Sequence, residues 1–386
     1  MVHGTNPIYL DHNATTPVAP EVVAAMLPFL QEHFGNPSSD HAYADAPRRA
    51  MAAAREEVAR LIGARPHEIV FTGSATEANN LAILGVARAW GHARRHVVIS
   101  AIEHPAVREP ARRLQELGGS LTVVPVDEYG RVAPADVAAA LRSDTGLVTV
   151  MHANNEVGTI QPIAEIAALA HRHGALMHTD AAQSAGKLAL DVDALGVDLL
   201  TLAGHKFYAP KGIGALYVRT GTPITAVLAG AGQERGLRPG TENIPQIVAL
   251  GAAARLARER LPETHARLRA LRDRLHARLS QEIPGLALNG HPEQRLPNTL
   301  NVSFPGVSGA LLLQRVADRV AAATGSACHA GDAAPSGVLE AMGLSFERAL
   351  GAVRLSVGHY TREAEIDAAA AALIAAWREL TITEHG

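Results

Sequence analysis

The sequence predicts an α/β fold with a large, mostly parallel sheet, on two observations. Three stretches, at residues 67–90, 95–117 and 145–174, each pass from a β-rich apolar run through a polar or glycine-containing loop into a helical pattern. Two more apolar runs, within 175–186 and 197–206, end in polar side chains. Strands that alternate with helices indicate βαβ units and a sheet covered on both faces.

Composition favours a globular protein with a large and a smaller domain. The chain has 386 residues, and a hydrophobic share of 47% is ample for a core. The net charge of −3 argues against a nucleic-acid-binding surface, so no direct nucleic-acid binding is expected. A single cysteine excludes an internal disulfide framework and fits a reducing compartment.

Neither an export signal nor a membrane span is predicted. The first 17 residues contain no basic segment followed by an apolar one. The longest alanine-rich apolar run, residues 368–377, is far shorter than the ~20 residues of a membrane helix. We therefore expect a soluble, cytoplasmic protein without membrane partners.

An arginine-rich helical stretch at residues 247–283 is interpreted as the connector between two domains. Pro262 interrupts the stretch and predicts a kink or a break there. The predicted large domain covers residues 15–255. The predicted small domain comprises residues 1–14 and 256–386 and carries the cysteine loop at about 322–335.

Polar residues close the apolar runs of the predicted sheet. Ligands of open α/β sheets bind beyond the carboxyl ends of the strands. We therefore expect these polar side chains to converge on one site. They are Thr76, His104, Asn155, Asp180, Gln183, His205 and Lys206.

Lysine is scarce in this chain. It occurs only at Lys187, Lys206 and Lys211, whereas arginine occurs 32 times. A codon bias explains arginine on the surface, but arginine stays protonated, whereas a lysine amine can form a Schiff base. Lys206 follows His205 at a strand end and is the candidate. Lys187 and Lys211 are interpreted as lying on the surface or behind the site.

Lys206 and Asp180 together predict a pyridoxal phosphate site. Taken alone, a strand-end lysine is more often solvated, and a strand-end aspartate often caps a helix. Together they supply the imine-forming amine of such a site and the carboxylate that keeps the pyridine nitrogen protonated. The loop "FTGSATEAN" opens a helix and can cradle a phosphate, with Thr76 and His205 as further donors. His104 could act in proton transfer over the ring.

The one thiol, Cys328, lies in "ATGSACHAGD", among small and turn-prone residues. A passive surface thiol is the simplest interpretation of such a position. A reactive cysteine that must travel to a substrate is the alternative, since a loop of small residues suits movement. Its thiolate would need a cationic or hydrogen-bonding neighbour such as His329.

Eleven motifs, in the right order from Tyr9 to about Thr361, carry a resemblance. They are "YLDHNATTP", "GNPSS", "TEANN", "EH", "ANNEVGTIQP", "HTDAAQ", "GHKFYAPKGIGALYVR", "RPGTEN", "LPNT", "GSAC" and "RLSVG". The chain resembles the cysteine desulfurases, pyridoxal phosphate enzymes of aminotransferase class V. The resemblance implies a fold-type I homodimer that takes sulfur from L-cysteine, leaving L-alanine and an enzyme persulfide.

The resemblance also implies a role for each matched residue. Lys206 would form the Schiff base, Asp180 would pair with the pyridine nitrogen, and His104 would stack on the ring. Cys328 would accept the sulfur and pass it to an iron–sulfur scaffold or a thiolation enzyme. The other implied contacts are the ring oxygen for Asn155 and Gln183; the phosphate for Ala75, Thr76 and His205, and for Thr241 of a partner subunit; and the substrate carboxylate for Arg354 with Asn13 and Asn155.

The chain departs from the family pattern at three places. Ala203 replaces a frequent phosphate-binding serine, "GSATEAN" inverts the usual order of small residues, and His329 follows the cysteine where many desulfurases have threonine. That histidine resembles the selenocysteine lyases, which leaves such a lyase as the alternative. A catalytically weak sulfur-relay scaffold is the third hypothesis. No metal site is predicted, because the "HRH" histidines at i and i+2 point apart on a helix.

Overall fold

The computed structural model describes residues 6–91, 93–325 and 336–383. The sulfur acceptor predicted from sequence, Cys328, lies outside the described residues, as does His329. The strands are β1 (Ile8–Tyr9), β2 (Ile69–Thr72), β3 (His96–Ser100), β4 (Ser120–Val124), β5 (Thr145–Thr149), β6 (Leu176–Asp180), β7 (Leu199–Ala203), β8 (Gly214–Val218), β9 (Ala287–Asn289), β10 (Thr299–Ser303), β11 (Val320–Ala321) and β12 (Ala352–Ser356).

Helices separate most of these strands. None of the helices in the described ranges is both long enough and apolar enough to span a membrane. The helices are α1 (Pro20–Gln31), α2 (Asp45–Leu61), α3 (Ala75–Trp90), α4 (Pro105–Glu116), α5 (Pro134–Ala140), α6 (Ile163–Arg172), α7 (Val192–Leu195), α8 (Ile244–Glu282), α9 (Gly309–Arg315), α10 (Gly337–Ala341), α11 (Phe346–Leu350) and α12 (Glu363–Thr383).

The largest sheet has seven strands in the order β2-β8-β7-β6-β5-β3-β4. Neighbouring strands from β7 to β4 run parallel, whereas β8 runs antiparallel to both β7 and β2. The predicted mostly parallel sheet is therefore confirmed, with β8 as its reversed strand. Residues 204–213, between β7 and β8, are too few for the crossover that a parallel pair needs.

Both faces of this sheet are buried against helices. Successive side chains along a strand point to opposite faces, so neighbouring residues belong to different apolar clusters. Val97 and Leu199 belong to one apolar cluster, together with side chains from α3 and α4. The next residues, Val98 and Leu200, belong to another cluster with α2, α6 and α8. This two-sided cover is what alternating strands and helices predict.

A second core surrounds the antiparallel sheet β12-β10-β9. Leu300 of β10 and Leu355 of β12 pack there with side chains of α8, α9 and α12. Helix α8 joins the two cores, since its Leu250 packs in the first and its Leu275 in the second. The helix continues through Pro262, so the chain does not break there. The predicted domain boundaries stay predictions.

The N-terminal segment ties the small sheet to the main sheet. Strand β1 pairs in parallel with β11. The backbone N–H of His12 donates to the oxygen of Ser356 at the end of β12, and that of Thr16 donates to the oxygen of His205 just beyond β7. Residues 10–16 therefore cross from the second core to the carboxyl end of the main sheet.

We predict that Gly251→Ala destabilises the fold, although alanine is normally the better helix former. A Cβ atom at Gly251 of α8 would lie 2.5 Å from the Cα atom of Ala54 in α2, so the helices would have to separate. The expected loss in the free energy of unfolding is about 1–3 kcal/mol, as for other overpacked cores. Gly337→Ala is the control, because an added Cβ there meets no described atom within 4 Å. Equal urea midpoints for the two variants would contradict the close α2–α8 contact.

Candidate active site

A cavity of about 280 Å³ lies at the carboxyl ends of the parallel strands. The ends of β6 and β7 and the loops that follow β3 and β5 supply much of its lining. The structure brings together all but two of the residues predicted to form the site. Those that line the cavity are Asn13, Ala75, Thr76, His104, Asn155, Asp180, Gln183, His205, Lys206 and Arg354.

The two exceptions have different reasons. Cys328 lies outside the described residues. Thr241 lines a separate surface pocket, together with Phe34 and Pro37. The predicted contact of Thr241 with the phosphate of a partner subunit stays a prediction.

Lys206 reaches the cavity from a single 3₁₀ turn that follows β7. Its Nζ donates hydrogen bonds to the backbone oxygens of Asn13, at 2.5 Å, and Ala14, at 2.9 Å. His205, in the same turn, bonds through Nδ1 to the Thr15 hydroxyl at 3.2 Å. The N-terminal segment therefore holds both side chains at the cavity wall.

Two donors fix the carboxylate of Asp180 at the end of β6. The N–H of Ala182 donates to Oδ1 at 2.9 Å, and the side-chain amide of Asn79 donates to Oδ2 at 2.7 Å. Asn79 is fully buried in α3. Sequence reasoning missed it, although an amide on the apolar face of a helix is a signal. Each oxygen of Asp180 keeps a lone pair for a further donor.

The N-terminus of α3 supplies a cradle for an anion. Ser74 caps the helix by accepting a hydrogen bond from the N–H of Glu77 at 3.1 Å, and Ser74, Ala75 and Thr76 line the cavity. The first-turn N–H groups and the helix dipole favour negative charge. Gly214 of β8 leaves room for this turn, because a Cβ atom there would lie 2.7 Å from the carbonyl carbon of Ser74.

His104 is a neutral imidazole with a defined tautomer. It caps α4, and its Nδ1 accepts a hydrogen bond from the N–H of Ala106 at 3.1 Å. Burial lowers the pKa of His104, and the charge of Lys206 lowers it further, while Asp180 acts in the opposite direction. The ring hydrogen therefore resides on Nε2.

Arg354 of β12 is a buried cation at the cavity. It donates to the backbone oxygen of Asn155 at 3.1 Å and pairs with the carboxylate of Asp11 at 2.6 Å, while its Nε has no hydrogen-bond partner among the described residues. Asn13 does not offer a free amide beside it. Both N–H groups of the Asn13 side chain are used, by the oxygen of Asn155 and by the hydroxyl of Thr299.

The two other lysines lie in different environments. Lys187 is buried, and its Nζ donates to Gln183 at the backbone oxygen (2.9 Å) and at Oε1 (3.3 Å). Lys187 therefore lies behind the site. Lys211 is exposed. The two alternatives that the sequence left open each apply to one of them.

Four buried titratable side chains lie outside the cavity lining. Burial lowers the pKa of His12, His152 and His178 to about 4 each, so all three are neutral near pH 7. Glu103 behaves in the opposite sense, because burial raises its pKa to about 8 and keeps the carboxyl protonated. Its Oε1 accepts hydrogen bonds from the Ser100 hydroxyl and from the N–H of Met151.

The chain belongs to the aminotransferase class-V family, whose members use pyridoxal phosphate, because the profile of that family matches residues 8–369. Relatives within that family have names that state a more specific activity. The sequence is 45% identical to "Cysteine desulfurase IscS" of Dictyoglomus turgidum, over 93% of this chain and 92% of that protein. It is 43% identical to "Cysteine desulfurase" of Rattus norvegicus, over 94% of this chain and 80% of that protein.

Solved structures agree with these sequence relatives. The fold matches a "NIFS-LIKE PROTEIN" with a TM-score of 0.90 and 36% identity, covering 98% of this chain and 100% of that one. It also matches "SspA in complex with cysteine" with a TM-score of 0.81 and 38% identity, covering 92% of this chain and 99% of that one.

We predict that stability falls as the pH is lowered from about 6.5 towards 5. His12, His152, His178 and His205 have pKa values of about 4 in the folded protein, so only the unfolded chain binds their protons in this window. Glu103, with a pKa of about 8, opposes them with one proton. The expected slope is on the order of 3 kcal/mol of unfolding free energy per pH unit. Urea midpoints measure it.

The matched variant is His152→Gln, which removes one of the titrating groups and should reduce this slope. A midpoint that stays constant between pH 6.5 and pH 5 in the unmodified protein would contradict neutral, buried histidines.

Proposed function

We propose that the protein is a cysteine desulfurase that binds pyridoxal phosphate, takes the sulfur of L-cysteine and releases L-alanine. The observation that carries the proposal is the pair formed by the Lys206 amine and the Asp180 carboxylate, which line one cavity with a helix N-terminus. Relatives named cysteine desulfurase, about 45% identical over more than 90% of the chain, support the same activity.

The residues present fit pyridoxal phosphate. Lys206 would bind it covalently and Asp180 would bind the ring nitrogen, through the lone pairs that Ala182 and Asn79 leave open. When bound, this cofactor withdraws electrons from the α-carbon of an amino acid. The remaining contacts would be Ala75, Thr76 and His205 with the phosphate, His104 with the ring face, and Gln183 and Asn155 with the ring oxygen.

The phosphate would rest mainly on backbone N–H groups. Ala203 lines the cavity with a methyl group and offers no hydroxyl. The first turn of α3, with the hydroxyl of Thr76, supplies the donors instead. We expect this cradle to hold the phosphate without the hydroxyl that the family's frequent serine would add.

Arg354 is the proposed clamp for the substrate carboxylate. Its guanidinium is buried, lines the cavity and keeps an Nε without a partner among the described residues. A planar fork binds a carboxylate through two parallel hydrogen bonds. A substrate would replace the contact that Asp11 now makes at 2.6 Å.

Protons would move through Lys206 and His104. The Lys206 amine, held by the oxygens of Asn13 and Ala14, is the proposed base for the substrate α-proton. The Nε2–H of neutral His104 can donate towards negative charge that develops on the substrate. Asn13 would hold the Lys206 amine through its backbone oxygen. Its side-chain amide already donates to Asn155 and Thr299.

Cys328 is the proposed sulfur acceptor, on the strength of its motif. Its thiolate would attack the sulfur of L-cysteine, so that a sulfur–sulfur bond forms as the carbon–sulfur bond breaks. The products are a persulfide on Cys328 and L-alanine, because the β-carbon keeps the electron pair of the broken bond and takes a proton. An iron–sulfur scaffold or a thiolation enzyme would then receive the sulfur, in the reducing environment of the cytoplasm.

We also propose a homodimer. Large apolar side chains are exposed close to the pocket that Thr241 lines, and Phe34 with 71% of its surface exposed is part of that pocket. Tyr43 packs on Phe34 at 5.7 Å between ring centroids and is itself 65% exposed. If a second copy covers this surface, Thr241 of one copy would lie towards the cavity of the other copy.

The test of the proposed function is Cys328→Ser. Because a covalent step is removed, alanine formation from L-cysteine should fall by more than the ~10²–10⁴-fold that a general acid–base group contributes. Mass spectrometry after addition of L-cysteine should show one added sulfur on the Cys328 peptide of the unmodified protein. A fully active Cys328→Ser protein, with no sulfur ever found on Cys328, would contradict the proposal.

L-selenocysteine is the second substrate to compare in the same assay. Its carbon–selenium bond is weaker, and selenium can leave without a thiolate. Turnover of L-selenocysteine that is unaffected by Cys328→Ser, together with negligible turnover of L-cysteine, would favour the selenocysteine lyase that His329 suggests.

A further inference from the structure

We propose that Lys187 is a positioning residue that fixes the orientation of the Gln183 side-chain amide, so that Gln183 presents an N–H donor to the cavity. This inference rests on the proposed function, because the ligand that would receive the donor is the ring oxygen of pyridoxal phosphate. Lys187 itself is not among the residues that line the cavity.

The hydrogen bonds around Gln183 allow one orientation of its amide. The Nζ of Lys187 donates to Oε1 of Gln183 at 3.3 Å, and Nε2 of Gln183 donates to the backbone oxygen of Asn13 at 3.0 Å. A flipped amide would turn Oε1 towards the Asn13 oxygen, which is also an acceptor, and Nε2 towards Lys187, which is a donor. Both contacts would be lost.

One N–H of the Gln183 amide remains for a ligand. The NH₂ group carries two donors, and the Asn13 oxygen takes one of them. Since Gln183 lines the cavity, the second donor is available to an oxygen bound there. The same Asn13 oxygen also accepts from Lys206 at 2.5 Å. Lys187, Gln183 and Lys206 are therefore linked by three hydrogen bonds, two of which share the carbonyl oxygen of Asn13.

The burial of Lys187 is costly, and its contacts do not offset that cost with an opposite charge. Both of its Nζ hydrogen bonds within the described chain go to Gln183. Burial, followed by the charges of Lys206 and Arg354, lowers the pKa of Lys187 to about 7. The nitrogen donates in either state, because a neutral amine still has two N–H groups. A methionine of similar length would fill the same space without an amine to desolvate.

The experiment compares Lys187→Met with the unmodified protein in two measurements. The dissociation constant for pyridoxal phosphate, titrated into the apoprotein, should rise roughly 3- to 10-fold, since the Gln183 amide is free to turn away. Lys187→Met also leaves the backbone oxygen and Oε1 of Gln183 without their amine donor, so the melting temperature of the apoprotein measures that structural cost separately. A merely structural lysine would lower the melting temperature and leave the dissociation constant unchanged.

A double-mutant cycle tests whether Lys187 acts through Gln183. Gln183→Ala should weaken cofactor binding, and adding Lys187→Met to it should change nothing further, because coupled residues are not additive. Lys211→Met is the control, since it removes the same positive charge at an exposed position. It should bind the cofactor as tightly as the unmodified protein.

The outcomes separate this inference from the proposed function. Additive losses in Lys187→Met and Gln183→Ala, or an equal loss in Lys211→Met, would overturn the positioning role while the proposed function stands. An unmodified protein that binds no pyridoxal phosphate would overturn the proposed function, and this inference with it.

Discussion

The backbone oxygen of Asn13 is the point on which the geometry of the site depends. It accepts hydrogen bonds from Lys206 and from Gln183, both of which lie at the carboxyl end of the main sheet. The side chain of the same residue is bound by Asn298 and Thr299, where the small sheet begins. Asn13 therefore links the small sheet to the carboxyl end of the main sheet. A displacement of the small sheet would move the Lys206 amine and the Gln183 amide together.

Much of the site could be predicted because its residues follow strands. The carboxyl ends of parallel strands meet at one edge of a sheet, so Asp180, the last residue of β6, and Lys206, just after β7, were expected to lie close together. The antiparallel direction of β8 is also indicated by the sequence, since the connection of residues 204–213 is too short for a crossover between parallel strands. Cys328 could be singled out by its small neighbours, although a sequence pattern does not give its distance from the cavity.

Contacts between residues far apart in the chain could not be predicted. Asn79 and Asp180 are separated by 101 residues, and Arg354 and Asp11 by 343. No periodicity reports which helical amide faces which carboxylate. Lys187 shows the same limit, because a lysine four residues after Gln183 has no signature of burial until the fold is known. The interactions that orient the site are thus less visible in the sequence than the groups that would perform the chemistry.

The proposed attachment of pyridoxal phosphate to Lys206 can be tested directly, because lysine is scarce in this chain. Reduction of the purified protein with sodium borohydride fixes the cofactor on the amine that holds it, and peptide mass spectrometry then finds the labelled lysine. The chain has only Lys187, Lys206 and Lys211. We expect the label on the Lys206 peptide. A label on either other lysine, or none in a protein that produces alanine from L-cysteine, would contradict it.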